Sequence, residues 1–287
     1  MGQQSVHYFP GHMSKALEAM QNYVKVVDLV VEILDARAPI SSQNPILSRV
    51  IGSKPRLILL SKTDYADPEV TKQWIAYFAS EGITAIAGNL KKEKFVNLLS
   101  KASIPLLTKK REKEAKYGMK PQPIRVMVVG IPNVGKSTLI NNLKGKKIAN
   151  VGNKAGITRA EQWIKLNEDF TLLDTPGILP MNYPDGAQAV RLALLGSMRE
   201  DVLPTEELAI ALLGYLKENY PNSLEGRFGL KEIHQYLGEE ILEKIALVRG
   251  LLEGSSPSIE RAAYLLIKEF KDGVLGHFSL EGPKCSN

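Results

Sequence analysis

Val126-Met127-Val128-Val129-Gly130-Ile131-Pro132-Asn133-Val134-Gly135-Lys136-Ser137-Thr138 reads as a buried strand that runs into a glycine loop and opens a helix at Lys136. Gly130, Gly135, Lys136 and Ser137 match G-x-x-x-x-G-K-S, in the strand-loop-helix setting that a phosphate-binding loop needs. The spacing has a physical cause. Glycines let the backbone wrap closely round phosphate oxygens, so that the N–H groups of Asn133 to Thr138 and the start of a helix point at negative charge. Lys136 then reaches the β- and γ-phosphates, and the Ser137 hydroxyl suits Mg²⁺.

Three more stretches gain meaning from this one. Downstream, Leu172-Leu173-Asp174-Thr175-Pro176-Gly177 is an apolar strand ending in D-x-x-G, which predicts Asp174 as a Mg²⁺ partner and the Gly177 N–H as a γ-phosphate sensor. Between the two, Thr158 in a polar glycine-containing loop is placed to touch Mg²⁺ and the γ-phosphate. Upstream, an apolar strand from Arg56 to Leu60 ends in Ser61-Lys62-Thr63-Asp64, close to N-K-x-D. An aspartate there accepts from both the ring N–H and the exocyclic amine of guanine, a pair that adenine cannot offer, while Lys62 lays its aliphatic stem over the purine. Ser61 replaces the usual Asn, which predicts fewer or longer hydrogen bonds to the phosphate loop. A third strand, Ile83 to Ala87, ends in Gly88-Asn89-Leu90, and only its place marks Asn89 and Leu90 as base contacts.

Together these strand ends specify GTP over ATP, with Mg²⁺. Their order is unusual, because the base-reading loop precedes the phosphate loop. The fold predicted is α/β, a circularly permuted Ras-like P-loop GTPase domain over residues 1–180, with a mostly parallel sheet and helices on both faces. Its old termini would be joined near 104–123, and an all-α domain would follow over 181–287.

Charge divides at the same place. Residues 1–180 hold 26 Lys and Arg against 15 Asp and Glu, and residues 181–287 hold 11 against 16. A basic first half suits a polyanion such as RNA. The single cysteine, Cys285, excludes an internal disulfide and a cysteine zinc site. No apolar run approaches the roughly 18 residues of a membrane helix, so a cytoplasmic protein with no membrane partner is expected, a monomer by default.

The chain resembles the circularly permuted GTPases, and closely the bacterial ribosome biogenesis GTPase A group. The resemblance rests on Phe9-Pro10-Gly11-His12-Met13, Asp35-Ala36-Arg37, the phosphate loop, Gly156-Ile157-Thr158 with Gln162-Trp163, and Asp174-Thr175-Pro176-Gly177-Ile178. It implies late assembly of the large (50S) ribosomal subunit, with slow hydrolysis stimulated by the bound particle and an rRNA-binding C-terminal half. Ile178 follows D-x-x-G where many GTPases place a water-orienting Gln. The resemblance offers His12 as the replacement catalytic residue and Asn133 as a K⁺ ligand.

From Gly186 on, helices are expected at about 186–200, 205–219, 231–238, 239–253 and 257–271. Leu208, Leu212, Leu213 and Leu216, and then Ile241, Ile245, Val248 and Leu252, recur at helical spacing and read as core. Two other functions compete with the GTPase: a nucleotide-binding scaffold with negligible hydrolysis, and a P-loop kinase or NTPase acting on a small molecule.

Overall fold

The computed structural model describes residues 18, 20–144, 163–165, 168, 170–173, 186–198 and 203–283. Its first two strands, β1 (Leu29–Asp35) and β2 (Arg56–Ser61), are joined through α1 (Pro45–Ile51). Helix α2 (Pro68–Ser80) leads to β3 (Thr84–Ala87), and α3 (Phe95–Ser103) and α4 (Thr108–Lys116) lead to β4 (Ile124–Val129). After α5 (Lys136–Lys144) come β5 (Trp163–Lys165) and β6 (Phe170–Leu173). One sheet results, ordered β3-β2-β1-β4-β6-β5, parallel except for β5.

The sheet is buried on both faces, which is why β1 is apolar at nearly every position. Leu29, Val31 and Ile33 face one way with Leu57, Leu59, Val126 and Val128, under Phe95, Leu99, Leu139 and Ile140 of α3 and α5. On the other face, Val30, Met127 and Val129 meet Met20, Val24 and Leu47, while Leu34, Ile58 and Leu60 meet Trp74 and Phe78 of α2. Glu32, like Asp35 at the strand's end, is an exception on β1. Burial pushes its carboxyl up, opposed by the Arg56 guanidinium 2.5 Å away.

Several helix starts are set by capping. Asn44 Oδ1 accepts from the Ile46 N–H ahead of α1, and Asp67 Oδ1 from the Glu69 and Val70 N–H groups ahead of α2; a proline opens each helix. The charged connector forms α4. After β3 the chain turns helical only at Phe95, because the Asn89 side chain accepts from the Lys91 N–H and holds a turn there.

Beyond residue 186 the described elements are mainly helical: α6 (Gly186–Leu194), α7 (Thr205–Asn219), α8 (Glu225–Phe228), α9 (Gly238–Arg249) and α10 (Ile259–Lys271). The helix expected at 231–238 is a short 3₁₀ turn, Ile233–Gln235, entered from Glu232 at φ +50°. The one expected to reach 253 stops at Gly250, whose φ of +64° closes it. A small ribbon follows, β7 (Leu252–Glu253) against β8 (Ser256–Pro257), so this half is not wholly helical. For the same reason Leu252 leaves the helical period and is exposed, and Val248 lies roughly a quarter turn from the middle of the buried stripe of Ile241, Leu242, Ile245 and Ala246. The other expected core leucines and isoleucines are buried.

The largest apolar cluster is continuous from the first sheet face into Leu212, Leu216, Ile245 and Leu266. The expected division at 180–181 lies outside the described residues. No described helix is long and apolar enough to cross a membrane.

Candidate nucleotide site

A parallel sheet delivers its loops to one edge, and the loops after β2, β3 and β4 meet there around a single glycine. A Cβ built on Gly135 would lie 3.1 Å from Leu90 Cδ1 and 3.8 Å from both Ser61 Cβ and Ser61 Oγ. Gly135 has φ +112° and Asn133 φ +60°, so the phosphate loop turns through left-handed backbone twice. At its start Gly130, φ +152°, passes so close to β1 that a Cβ would stand 2.6 Å from the Ile33 carbonyl oxygen. Gly135→Ala should therefore weaken labelled-GDP binding about ten- to a hundredfold, from strain of ~1–3 kcal/mol, while its circular dichroism stays that of the parent.

Lys136 curls back over this loop, donating to the carbonyls of Gly130 at 3.1 Å and Ile131 at 2.8 Å. Its charge thus sits inside the ring of backbone groups, and Ser137 and Thr138 follow on the first turn of α5. A hydroxyl there is a hard oxygen donor that fits Mg²⁺. The other expected Mg²⁺ residues, Thr158 and Asp174, lie outside the described residues, as do His12 and Gly177. Among the described residues no cluster of His, Cys, Asp and Glu makes a metal site by itself. In the parallel neighbour of β4, β6, Leu173 pairs with Met127.

The loop Ser61–Asp64, expected to read the base, is tied to the phosphate loop more closely than Ser61 led us to expect. Its Oγ lies 2.6 Å from the Val134 carbonyl oxygen and 3.0 Å from that of Leu34. The hydroxyl has one hydrogen to donate, yet the bond to Val134 is short. Lys62 sits at φ +57°, with its ammonium 2.8 Å from Asp35 Oδ2. Thr63 and Asp64 follow, both partly exposed, and the Asp64 carboxylate makes no hydrogen bond to any described residue.

Asp35 is a hub that the sequence did not reveal. Wholly buried, it accepts from Arg37 Nε and Nη2 at 2.9 Å each and from the Arg37 N–H at 3.1 Å, besides holding Lys62. Burial alone would push its carboxyl up, but the charges of Arg37 and Lys62 and their hydrogen bonds hold it well below the usual range. Arg37 is itself 2% exposed, its guanidinium between the rings of Tyr65 at 5.6 Å and Phe270 at 5.7 Å. The D-A-R triplet at a strand end was the only signal.

In the third loop, Asn89 spends its polar atoms on its own turn: the side chain accepts from Lys91 and the N–H donates to Glu93 Oε1 at 2.7 Å. Leu90 packs on the phosphate loop instead. Asn142 of α5, which no motif marked, clamps this loop by donating to the Leu90 carbonyl at 2.9 Å and accepting from the Phe95 N–H at 3.0 Å. Asn133 donates from Nδ2 to the Gly196 carbonyl at 2.8 Å, just past the end of α6.

Comparison with known proteins gives the family. Residues 125–221 match the family described as 50S ribosome-binding GTPase. Ribosome biogenesis GTPase A of Priestia megaterium is 40% identical over 281 residues, 97% of this chain and 97% of that protein. The chain belongs to the ribosome biogenesis GTPase A family. The Bacillus cereus member is 39% identical over 280 residues, covering 97% of this chain and 94% of its own. Mitochondrial ribosome-associated GTPase 1 of Bos taurus is 32% identical over 302 residues, covering 98% and 90%. Among solved structures, GNP-bound YlqF from T. maritima superposes with a TM-score of 0.63 at 30% identity, over 94% of this chain and 99% of that one. In this member of the GTPase family, the phosphate loop, Ser61 and Leu90 are gathered at Gly135.

Proposed function

We propose that this chain binds and hydrolyses GTP during late assembly of the large ribosomal subunit, and that the bound particle stimulates hydrolysis. The observation that carries this is the meeting of three loops at Gly135, since a reader of guanine and a cradle for phosphates become one site only if Ser61, Leu90 and the phosphate loop share a wall. The printed names of its relatives support the ribosomal setting, and the basic first half suits a nucleic-acid partner. The helical half, 181–287, is the rRNA-binding part of this reading. The protein acts as a cytoplasmic monomer.

In mechanism, Asp64 accepts from the ring N–H and amine of guanine and Lys62 covers the base. Backbone N–H groups from Asn133 to Thr138 line the phosphates. Water attacks the γ-phosphorus, the bond to the β–γ bridging oxygen breaks, and negative charge gathers on that oxygen. Lys136 offsets this charge. Ser137, Thr158 and Asp174 would hold Mg²⁺, which supplies further charge neutralisation. The Gly177 N–H reads the γ-phosphate. His12 takes the place of the water-orienting Gln that Ile178 lacks, and Asn133 Oδ1 would hold K⁺. The order of motifs, base loop on β2 before phosphate loop on β4, is that of a circular permutation, which puts switch II directly before the helical half.

The test is turnover of GTP and ATP by the purified protein, in K⁺ and in Na⁺, with and without large subunits. We expect GTP alone to be used, with turnover raised at least tenfold by subunits and highest in K⁺. Equal use of ATP would remove Asp64 as the base reader, and no response to subunits would favour a scaffold.

A further inference from the structure

The last described stretch of chain, 273–283, lies across the loops that follow β1 and β2. It docks through backbone as much as through side chains. Phe278 N–H donates to the Tyr65 carbonyl at 3.0 Å, and Leu280 N–H to the Arg37 carbonyl at 2.6 Å. Between them Ser279 Oγ accepts from the Asp67 N–H at 3.2 Å. The Ser279 N–H donates to Tyr220 Oη at 3.1 Å, whose own hydroxyl donates to Asp67 Oδ2 at 3.2 Å. The Glu281 carboxylate accepts from the Ser41 N–H at 2.9 Å and the Ser41 hydroxyl at 2.7 Å. Its carbonyl accepts from Trp74 Nε1 at 3.1 Å.

These contacts fall on the two residues that frame the base-reading loop. Tyr65 directly follows Asp64, and its ring lies against Gly273 so closely that a Cβ there would approach to 2.5 Å. Arg37 is clasped between Tyr65 and Phe270, and it grips Asp35, which holds Lys62. Lys62 has left-handed backbone, a conformation that persists only where its surroundings impose it. Neither Arg37 nor the strap belongs to the phosphate loop.

We infer that the strap 278–281 and Arg37 are positioning elements for guanine recognition: by covering Tyr65 and fixing Asp35 they hold Lys62 and Asp64 in the geometry that reads the base. The inference rests on the assignment of residues 61–64 as the base-reading loop. It makes guanine preference, and not phosphate binding, depend on the far end of the chain.

The measurement is the affinity of fluorescently labelled GDP and labelled ADP for the full chain and three variants. One variant ends at His277, one carries Ser279→Ala with Glu281→Ala, and one carries Asp64→Ala. Labelled ADP reports the phosphate loop without the base reader. A partly unfolded population weakens both nucleotides alike and leaves their ratio untouched. We expect the chain ending at His277 to bind GDP about tenfold more weakly, with the GDP-to-ADP preference falling by the same factor, and the double variant to fall about threefold. If the shortened chain does not fold, as judged by circular dichroism, the double variant decides. An unchanged preference in a folded strap variant, with Asp64→Ala abolishing it, overturns the inference and leaves the base-reading assignment standing. Should Asp64→Ala keep the preference, that assignment fails and the inference with it.

Discussion

An Asp64→Asn chain should abandon GTP for xanthosine triphosphate. Guanine offers two donors side by side, the ring N–H and the exocyclic amine, and a carboxylate accepts both. Asparagine keeps one acceptor and gains a donor, which sets amine against amine at guanine but matches the carbonyl that xanthine carries in that place. Losing one charge-assisted bond and leaving two donors unpaired should weaken GTP binding by about two to three orders of magnitude. The preference between the two bases should swing by roughly 10⁴, as sites built on hydrogen bonds do. Competition of each nucleotide against labelled GDP measures it. Tight GTP binding by Asp64→Asn would show that Asp64 does not touch the base.

The second large effect concerns stability. Asp35→Ala removes the carboxylate that Arg37 grips and leaves that guanidinium buried without its ion-pair partner, a change that costs ~3–5 kcal/mol where such pairs are broken. Urea unfolding of nucleotide-free protein measures the loss. The pH dependence follows from the direction of the shift. The folded carboxyl is held below its ordinary value of 3.8, so its stabilisation is complete above that value and fades as pH falls below it. The gap between parent and Asp35→Ala should thus be widest near neutrality and narrow in acid. A constant gap would mean that the substitution acts through lost packing.

How much of this was legible varies with the range of the interaction. Helix α2 is written in local signals, because Asp67 caps it, Pro68 opens it and Trp74 and Phe78 share one face, all within one stretch of chain. The strands could be read for a similar reason, since burial on both faces writes itself as an apolar run. The phosphate loop and Ser61 were found by local spacing, and the structure brings them together. Asp35 and Asn142 were not assigned their parts. Their partners are set by the fold: Asn142 meets Leu90 across 52 residues, and Arg37 meets Phe270 from the opposite end of the chain. Leu252 failed for another reason, because helical spacing was extended past the glycine that ends the helix, and Val248 because it sits on the edge of the helix face that Ile241, Leu242, Ile245 and Ala246 bury.

The bond from Ser41 to Glu281 joins residues 240 apart, and this has a meaning for biosynthesis. At synthesis rates of roughly 5–20 residues per second, the loop around Asp64 emerges on the order of ten to fifty seconds before the segment that covers it. All through that interval the nascent chain already carries Lys62 and Asp64, and later its phosphate loop, but lacks the segment that covers Arg37 and Tyr65. These contacts form only once residues 278–281 have been made, so a product terminated before them would carry the 61–64 loop and the phosphate loop without that support.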